Sequence, residues 1–161
     1  MPTPGIPILD DKYIATMDLY PLQAKEFNRI HQFYENLKEK RLTTTRCKKC
    51  GAAPFPPRVV CPECNSTDLE WVDLPTKGKV LQFSEELVGV PLGWNPPLIH
   101  AMVDLGPLKL MSRIANCEAG KLKEGDDVQL VVYEVPPMVL DVKGGSREVP
   151  RVFFAFEPVK K

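Results

Sequence analysis

The stretch TTTRCKKCGAAPFPPRVVCPECN, residues 43–65, decides how this chain folds. It contains two Cys-x-x-Cys pairs that are separated by ten residues. Each pair is followed by Gly51 or Asn65, two residue types that readily take the left-handed backbone conformation after such a turn. Two turns of this kind bring four sulfurs together from two directions, as tetrahedral Zn²⁺ requires. The stretch therefore predicts a zinc ribbon whose ligands are Cys47, Cys50, Cys61 and Cys64.

Four thiolates would complete the coordination shell of this metal. No position is then left for a water molecule or a substrate, so one Zn²⁺ with a structural role is expected. Iron in the same Cys₄ site and a redox-active dithiol are the alternatives that the spacing leaves open.

Composition limits the classes of function. Lys+Arg and Asp+Glu are balanced at 21 each, so no excess of positive charge draws the chain onto phosphate backbones. No stretch approaches the about 18 consecutive apolar residues of a membrane-spanning helix, and the first 20 residues lack the pattern of a secretory signal. Four of the five cysteines lie in the two pairs, which fits a reducing compartment. We expect a cytoplasmic protein that binds neither membrane nor nucleic acid.

The residues before the cysteines predict an arm and a helix. Residues 1–20 have no clear period, whereas apolar residues recur at steps of three and four from Pro21 to about Leu42. Asp18 as the N-cap, or Pro21 in the first turn, would begin this amphipathic helix. Its apolar face either covers the chain's own core or docks on another subunit. That face consists of Phe27, Ile30, Tyr34 and Leu37, with Phe33 at its edge.

The residues after the cysteines predict five strands, at 78–90, 98–105, 108–114, 128–135 and 151–158. Five short strands without long helices between them are typical of a small barrel, and the Greek-key OB-fold is the best match. The fold class is thus mainly β, with an N-terminal amphipathic helix, a zinc ribbon and a five-stranded OB-like barrel. We expect three parts, at 1–42, 43–74 and 75–161.

Two loops of such a barrel are where OB-folds usually hold ligands. Here they would be residues 91–97, between the first two strands, and residues 136–150, between the last two. Within the second loop, the composition of residues 143–146 predicts a small hairpin turn.

The sequence shows no catalytic constellation. His31 and His100 are accompanied by none of the common nucleophile, phosphate-loop or zinc-protease motifs. Cys117 is interpreted as a half-buried structural thiol, and a nucleophilic role beside a histidine is the alternative. A binding module that is not catalytic by itself is the simplest hypothesis.

The order of these parts resembles the DUF35 family, proteins with a rubredoxin-like zinc ribbon and an OB-fold that are associated with acyl-CoA. The resemblance covers roughly residues 22–158, and its most specific element is the FPPR segment at 55–58 between the two cysteine pairs. LEW at 69–71 and GKV at 78–80 also match. The resemblance implies a non-catalytic accessory subunit of a thiolase-superfamily enzyme, which helps to position acyl-CoA for C–C bond cleavage or formation. One subset of such enzymes acts on aromatic acyl-CoA thioesters such as benzoylsuccinyl-CoA.

The resemblance also implies roles for individual residues. The four cysteines match the zinc ligands, and Arg58 matches the arginine after the double proline, which either contacts CoA phosphates or forms a salt bridge that braces the ribbon. Trp94, Lys143 and Arg147 on the two barrel loops are candidates for the walls of a CoA cleft, unless these loops are simply solvated. A partner subunit would then dock on Phe27, Ile30, Phe33 and Tyr34.

Two other functions remain as hypotheses. A nucleic-acid-binding module is one, because zinc ribbons and OB-folds both bind polynucleotides in other proteins. A small rubredoxin-like electron carrier is the other, because its iron site also has four cysteines.

Overall fold

A computed structural model describes residues 8–9, 13–14, 23–90, 95–142 and 144–159. Two short strands, β1 (Ile8–Leu9) and β2 (Tyr13–Ile14), pair with each other in antiparallel fashion. The helix α1 (His31–Lys38) precedes a second two-stranded sheet, formed by β3 (Thr43–Cys47) and β4 (Leu69–Asp73). No helix among the described residues is long and apolar enough to cross a membrane.

Five further strands close into a barrel. They are β5 (Lys77–Glu86), β6 (Leu98–Asp104), β7 (Lys109–Ile114), β8 (Asp127–Val142) and β9 (Gly145–Pro158). The order around the barrel is β5-β6-β7-β9-β8, and pairing of β5 with β8 closes it. All neighbours are antiparallel except β7 and β9, which meet in parallel at Ile114 and Phe156. This is the topology of the five-stranded Greek-key barrel, so the predicted fold class is confirmed.

Glycine is required at two positions of this barrel. A Cβ on Gly78 would lie 2.5 Å from the backbone oxygen of Asp104, so only glycine allows β5 to approach the end of β6 this closely. Gly106 has φ +89° in the turn between β6 and β7. The N–H of Leu105 donates to the carbonyl of Leu108 across that turn, at 3.0 Å.

One hydrophobic core joins the helix, the ribbon and the barrel. Leu37 of α1 is 1% exposed, and Leu42 and Leu74 at the two ends of the ribbon are also buried. They belong to the same cluster of buried residues as Val103 and Phe156 of the barrel. The three predicted parts therefore share their interior.

The helix is shorter than predicted, because it begins at His31 and not at about Pro21. The side-chain oxygen of Asn28 accepts a hydrogen bond from the N–H of Ile30, at 2.9 Å, and such local bonds compete with helix formation. The side chain of Gln23 both donates to and accepts from the backbone of Val152, at 2.9 and 2.8 Å, which ties this segment to β9. The predicted cap at Asp18 lies outside the described residues.

The predicted loop at 136–150 is also wrong, because β8 and β9 continue through it as a long hairpin. A register shift between Val135 and Met138 accommodates the two intervening prolines, which cannot donate to a regular ladder. Pairing resumes beyond them and runs to Val142 and Gly145, so the predicted hairpin turn is confirmed. At the other end of the barrel, β5 ends at Glu86 and not at residue 90.

Candidate metal centre and adjoining groove

The two cysteine turns have the same geometry. In the first, the N–H of Gly51 donates to the carbonyl of Cys47 at 2.8 Å, and in the second the N–H of Asn65 donates to that of Cys61 at 3.0 Å. Gly51 has φ +79° and Asn65 φ +56°, the left-handed conformation that the sequence predicted at both positions. The turns thus present their thiols in equivalent ways.

The four thiols of these turns converge. All four Sγ atoms lie within 4.8 Å of one another, and the closest contacts join the two pairs, at 3.6 Å for Cys47–Cys64 and 3.5 Å for Cys50–Cys61. Sulfurs at the corners of a tetrahedron around Zn²⁺ are about 3.8 Å apart, given a Zn–S bond of about 2.3 Å. The donor set and its spacing therefore fit one structural Zn²⁺.

Backbone N–H groups and neighbouring thiols have opposite effects on the pKa values of the cysteines at this centre. The N–H groups of Cys50 and Lys49 lower the pKa of the Cys47 thiol to about 6, so its thiolate forms readily. The N–H of Ala52 favours the Cys50 thiolate in the same way, but the adjacent thiols, that of Cys61 first, and desolvation outweigh it and raise that pKa to about 12. Four thiolates at this spacing need a cation between them, which a divalent metal supplies.

The segment between the two cysteine pairs is fastened to β3. The hydroxyl of Thr45 donates to the carbonyl of Arg58 and accepts from its N–H, both at 2.9 Å. The hydroxyl of Thr44 donates to the carbonyl of Pro54. The guanidinium of Arg58 takes part in none of the ion pairs among the described residues, so its role as a salt bridge or as a contact for CoA phosphates stays a prediction. The backbone of Arg58 thus fastens this segment to β3.

An aromatic triangle joins the three parts of the chain beside the ribbon. Phe33 comes from α1, Phe55 from the segment between the cysteine pairs, and Phe154 from β9. Their ring centroids are 6.1, 6.1 and 6.2 Å apart, and all three pairs meet edge to face. Such pairs stabilise beyond their buried area by about 0.5–1.5 kcal/mol each.

A groove of about 500 Å³ opens over this triangle. Its walls are mostly apolar and come from α1, from Phe55, Pro56 and Pro57, and from strands β7 and β9. Lys109 supplies a cation at one side. The sequence did not predict the groove as a site, although Phe55, Pro56 and Pro57, which line it, belong to the FPPR segment that was the most specific element of the family resemblance.

Only some of the residues that were predicted to bind CoA or a partner line the groove. Ile30, Phe33 and Tyr34 line the groove, but Phe33 is only 6% exposed and packs in the chain's own core. Phe27 is 46% exposed. Arg147 lies on β9 and not in a loop, and its guanidinium pairs with the Glu26 carboxylate at 2.8 Å. Trp94 and Lys143 lie outside the described residues.

Cys117 is not activated as a nucleophile. Burial, and then the nearby carboxylates of Glu85, Asp126 and Glu118, raise the pKa of its thiol, so the neutral form persists at physiological pH. Its Sγ lies 3.6 Å from the carbonyl of Glu118. The structural interpretation of this thiol agrees with its environment.

A Cys₄ ribbon joined to a closed five-stranded barrel is the class of protein that the fold and the metal centre define. The family model described as "ChsH2, rubredoxin-like zinc ribbon domain" matches residues 35–70. A DUF35 domain-containing scaffold protein of Methanocaldococcus jannaschii is 31% identical over 132 residues, which cover 79% of this chain and 89% of that protein. The chain belongs to the DUF35 family.

The chain is also similar to one further relative and to one solved structure. Benzoylsuccinyl-CoA thiolase subunit BbsA of Thauera aromatica is 33% identical over 91 residues, 56% of this chain, and the chain spans 62% of the length of that subunit. A solved structure described as "Ltp2-ChsH2(DUF35) aldolase" superposes with a TM-score of 0.57 at 24% identity, covering 81% of this chain and 95% of that one. The superposition supports the fold.

Proposed function

We propose that this chain is a non-catalytic accessory subunit of a thiolase-superfamily enzyme, in which it helps to bind and position an acyl-CoA. The observation that carries the proposal is its membership of the DUF35 family together with its likeness to a protein described as a thiolase subunit. The catalytic residues would lie on the partner. The neutral thiol of Cys117 agrees with this division of labour, because a protonated thiol is a poor nucleophile.

The groove is the part of the chain that suits an acyl group. Its volume of about 500 Å³ lies within the range of small-molecule sites, and its walls are apolar. CoA has an anionic nucleotide end, for which Lys109 at the groove and Arg58, next to Pro57 of its wall, are suitable cations. The acyl end would lie in the groove while a partner subunit covers it.

The ribbon would act as a fastener in this arrangement. A closed Cys₄ shell leaves the metal no open position for chemistry, so its contribution is to hold the segment at 54–58 in place. That segment supplies one wall of the groove and one ring of the aromatic triangle. In this scheme the part at 1–42 meets the partner through Phe27, Ile30 and Tyr34. The part at 43–74 forms the fastener, and the part at 75–161 forms the barrel that carries the other wall.

We further propose that the acyl group is aromatic, as in benzoylsuccinyl-CoA. The groove is lined by Tyr34, Phe153 and Phe154, whose rings can pack edge to face or in offset stacks on an aromatic ligand. The name of the Thauera aromatica relative points to the same substrate class.

Purification of the tagged chain from its native host, with mass spectrometry of the eluate, tests the proposal. We expect a thiolase-superfamily subunit at a near-integer ratio to the chain. Elution of the chain alone would contradict the accessory role. Elution with nucleic acid would contradict it too and would favour the nucleic-acid-binding hypothesis.

Two matched variants locate the docking face in the same experiment. Phe27→Asp and Val139→Asp each place a carboxylate at an exposed apolar position, at 46% and 60% exposure. We expect Phe27→Asp to lose the partner, because Phe27 belongs to the predicted interface, and Val139→Asp on the β8–β9 hairpin to retain it. The reverse pattern would move the interface to the hairpin.

A further inference from the structure

A second pocket lies on the barrel, apart from the metal centre and the groove. It has a volume of about 400 Å³ and lies between the segment before β6, the end of β7 and the middle of β8. We name it the Arg113 pocket, after the one charged residue that the described part of the chain contributes to its lining. Asn95, Pro96 and Pro97 of its lining belong to the loop at 91–97 that the sequence predicted to hold a ligand.

The polar side of this pocket is built from Arg113 on β7 and Tyr133 on β8. Both side chains line the pocket, and the guanidinium lies close enough to the phenol to favour its ionised form. A guanidinium carries five N–H donors in a fixed plane, so it can donate to a ligand oxygen in addition to its partners within the protein. The lining also contains the side-chain amides of Asn95 and Asn116, and none of its described residues carries a carboxylate.

Tyr133 stays a hydrogen-bond donor over the physiological pH range. Burial raises the pKa of its phenol, and the charge and hydrogen bond of Arg113 offset this only in part. The neutral phenol O–H can therefore donate to an anion beside the guanidinium. A cation and a neutral donor side by side form a recognition site for an oxyanion.

The rest of the lining is apolar and gives the ligand its shape. Pro96, Pro97, Ile114 and Val131 form the walls, and Cys117 lies at the edge. The carboxylates that raise the pKa of Cys117 disfavour an anionic group at that edge. The anionic end of a ligand thus belongs at Arg113 and Tyr133, with its apolar body against the proline and aliphatic walls.

We propose that the Arg113 pocket binds an organic anion, whose carboxylate or phosphate oxygens are held by Arg113 and Tyr133 and whose apolar body fills the remainder. The ligand class is a small acid with an apolar group, or the phosphate of a larger molecule. The proposal concerns this chain alone and is independent of its role as an accessory subunit.

Binding to the full zinc-loaded chain is measured by amide chemical-shift titration with three compounds. Benzoate and benzamide have the same shape and differ in charge, and inorganic phosphate supplies the other oxyanion. We expect benzoate or phosphate to shift the amides of residues 114–117 and benzamide to bind about tenfold more weakly than the better anion. Benzoate alone would identify a carboxylate site, and phosphate alone a phosphate site. Equal binding of benzoate and benzamide without phosphate binding, or no shift with any of the three, would overturn the proposal.

Variants separate recognition from general charge effects. We expect Arg113→Gln to weaken binding of the anion about tenfold and Tyr133→Phe about threefold, because each removes donors to the oxyanion. Arg46→Gln on β3 removes the same charge outside the pocket and should leave binding unchanged. If Arg113→Gln does not fold, Tyr133→Phe decides, since it removes only the phenol oxygen. Unchanged binding in Tyr133→Phe, or an equal loss in Arg46→Gln, would overturn the proposal.

Discussion

The ribbon and the barrel are stabilised in different ways although they belong to one molecule. Between residues 48 and 73 only Pro57 and Cys61 are buried, so the ribbon has almost no apolar interior of its own. The barrel buries residues on all five strands, among them Val80, Ile99 and Phe156. One region therefore depends on a metal and the other on hydrophobic burial. Four experiments test this difference.

Removal of the metal should have the largest effect. A structural Zn²⁺ in a small domain contributes about 10 kcal/mol or more, and the ribbon has little else to hold it. We expect chelation, or Cys50→Ser, to collapse the amide resonances of residues 47–70 while those of β6 and β7 stay dispersed. Amide spectra before and after chelation measure this. A ribbon that keeps its dispersion without metal would contradict the contrast.

Truncation of the barrel core should come next. Phe156 is fully buried, so Phe156→Ala is expected to lower the free energy of unfolding by about 3–5 kcal/mol. Chemical denaturation of the zinc-loaded chain gives the value. The zinc content of the folded fraction serves as the control and should not change, because the four thiols lie elsewhere. A loss below about 1 kcal/mol would mean that the barrel core is not what stabilises this region.

The junction should respond less strongly. Phe55→Ala opens the aromatic triangle at a half-buried side chain, for an expected loss of about 1–3 kcal/mol. Val60→Ala in the same segment, at 43% exposure, is the matched control and should stay within about 0.5 kcal/mol of the parent. Equal effects of the two substitutions would show that the triangle does not couple ribbon and barrel.

The smallest effect is expected at the surface of the ribbon. Arg46 contacts Glu70 across β3 and β4 at 2.7 Å, but both side chains are about half exposed. Arg46→Gln should cost less than about 1 kcal/mol, and the cost should shrink further in high salt. Denaturation at two ionic strengths checks both statements. A larger loss in the free energy of unfolding that does not depend on salt would show that this exposed pair stabilises the ribbon more than its exposure predicts.

The parts of the fold that were predictable are those with local or periodic signals. The Cys-x-x-Cys pairs located the metal centre, and apolar alternation located the five strands of the barrel. The start of α1 was not predictable, because hydrogen bonds of the Asn28 and Gln23 side chains compete with a helix before His31. The β8–β9 hairpin was not predictable either, because two consecutive prolines are typical of a loop. In the structure a register shift between the strands accommodates them.

The groove and the polar side of the Arg113 pocket could not be predicted from the sequence for another reason. Each is assembled from residues far apart in the chain, such as Phe33 with Phe154 and Arg113 with Tyr133. Neither pair has a fixed spacing that a sequence pattern could show. Only the closed barrel, with β7 beside β9, brings their surroundings together.

The accessory role is tested most directly by reconstitution with the partner that co-purifies. The thiolytic activity of the partner is measured alone, with this chain, and with Phe27→Asp in its place, and the chain is also assayed alone. Our account predicts no turnover by the chain alone, full turnover by the pair, and a strong loss with Phe27→Asp. Undiminished activity of the partner without this chain, or turnover by the chain alone, would contradict it.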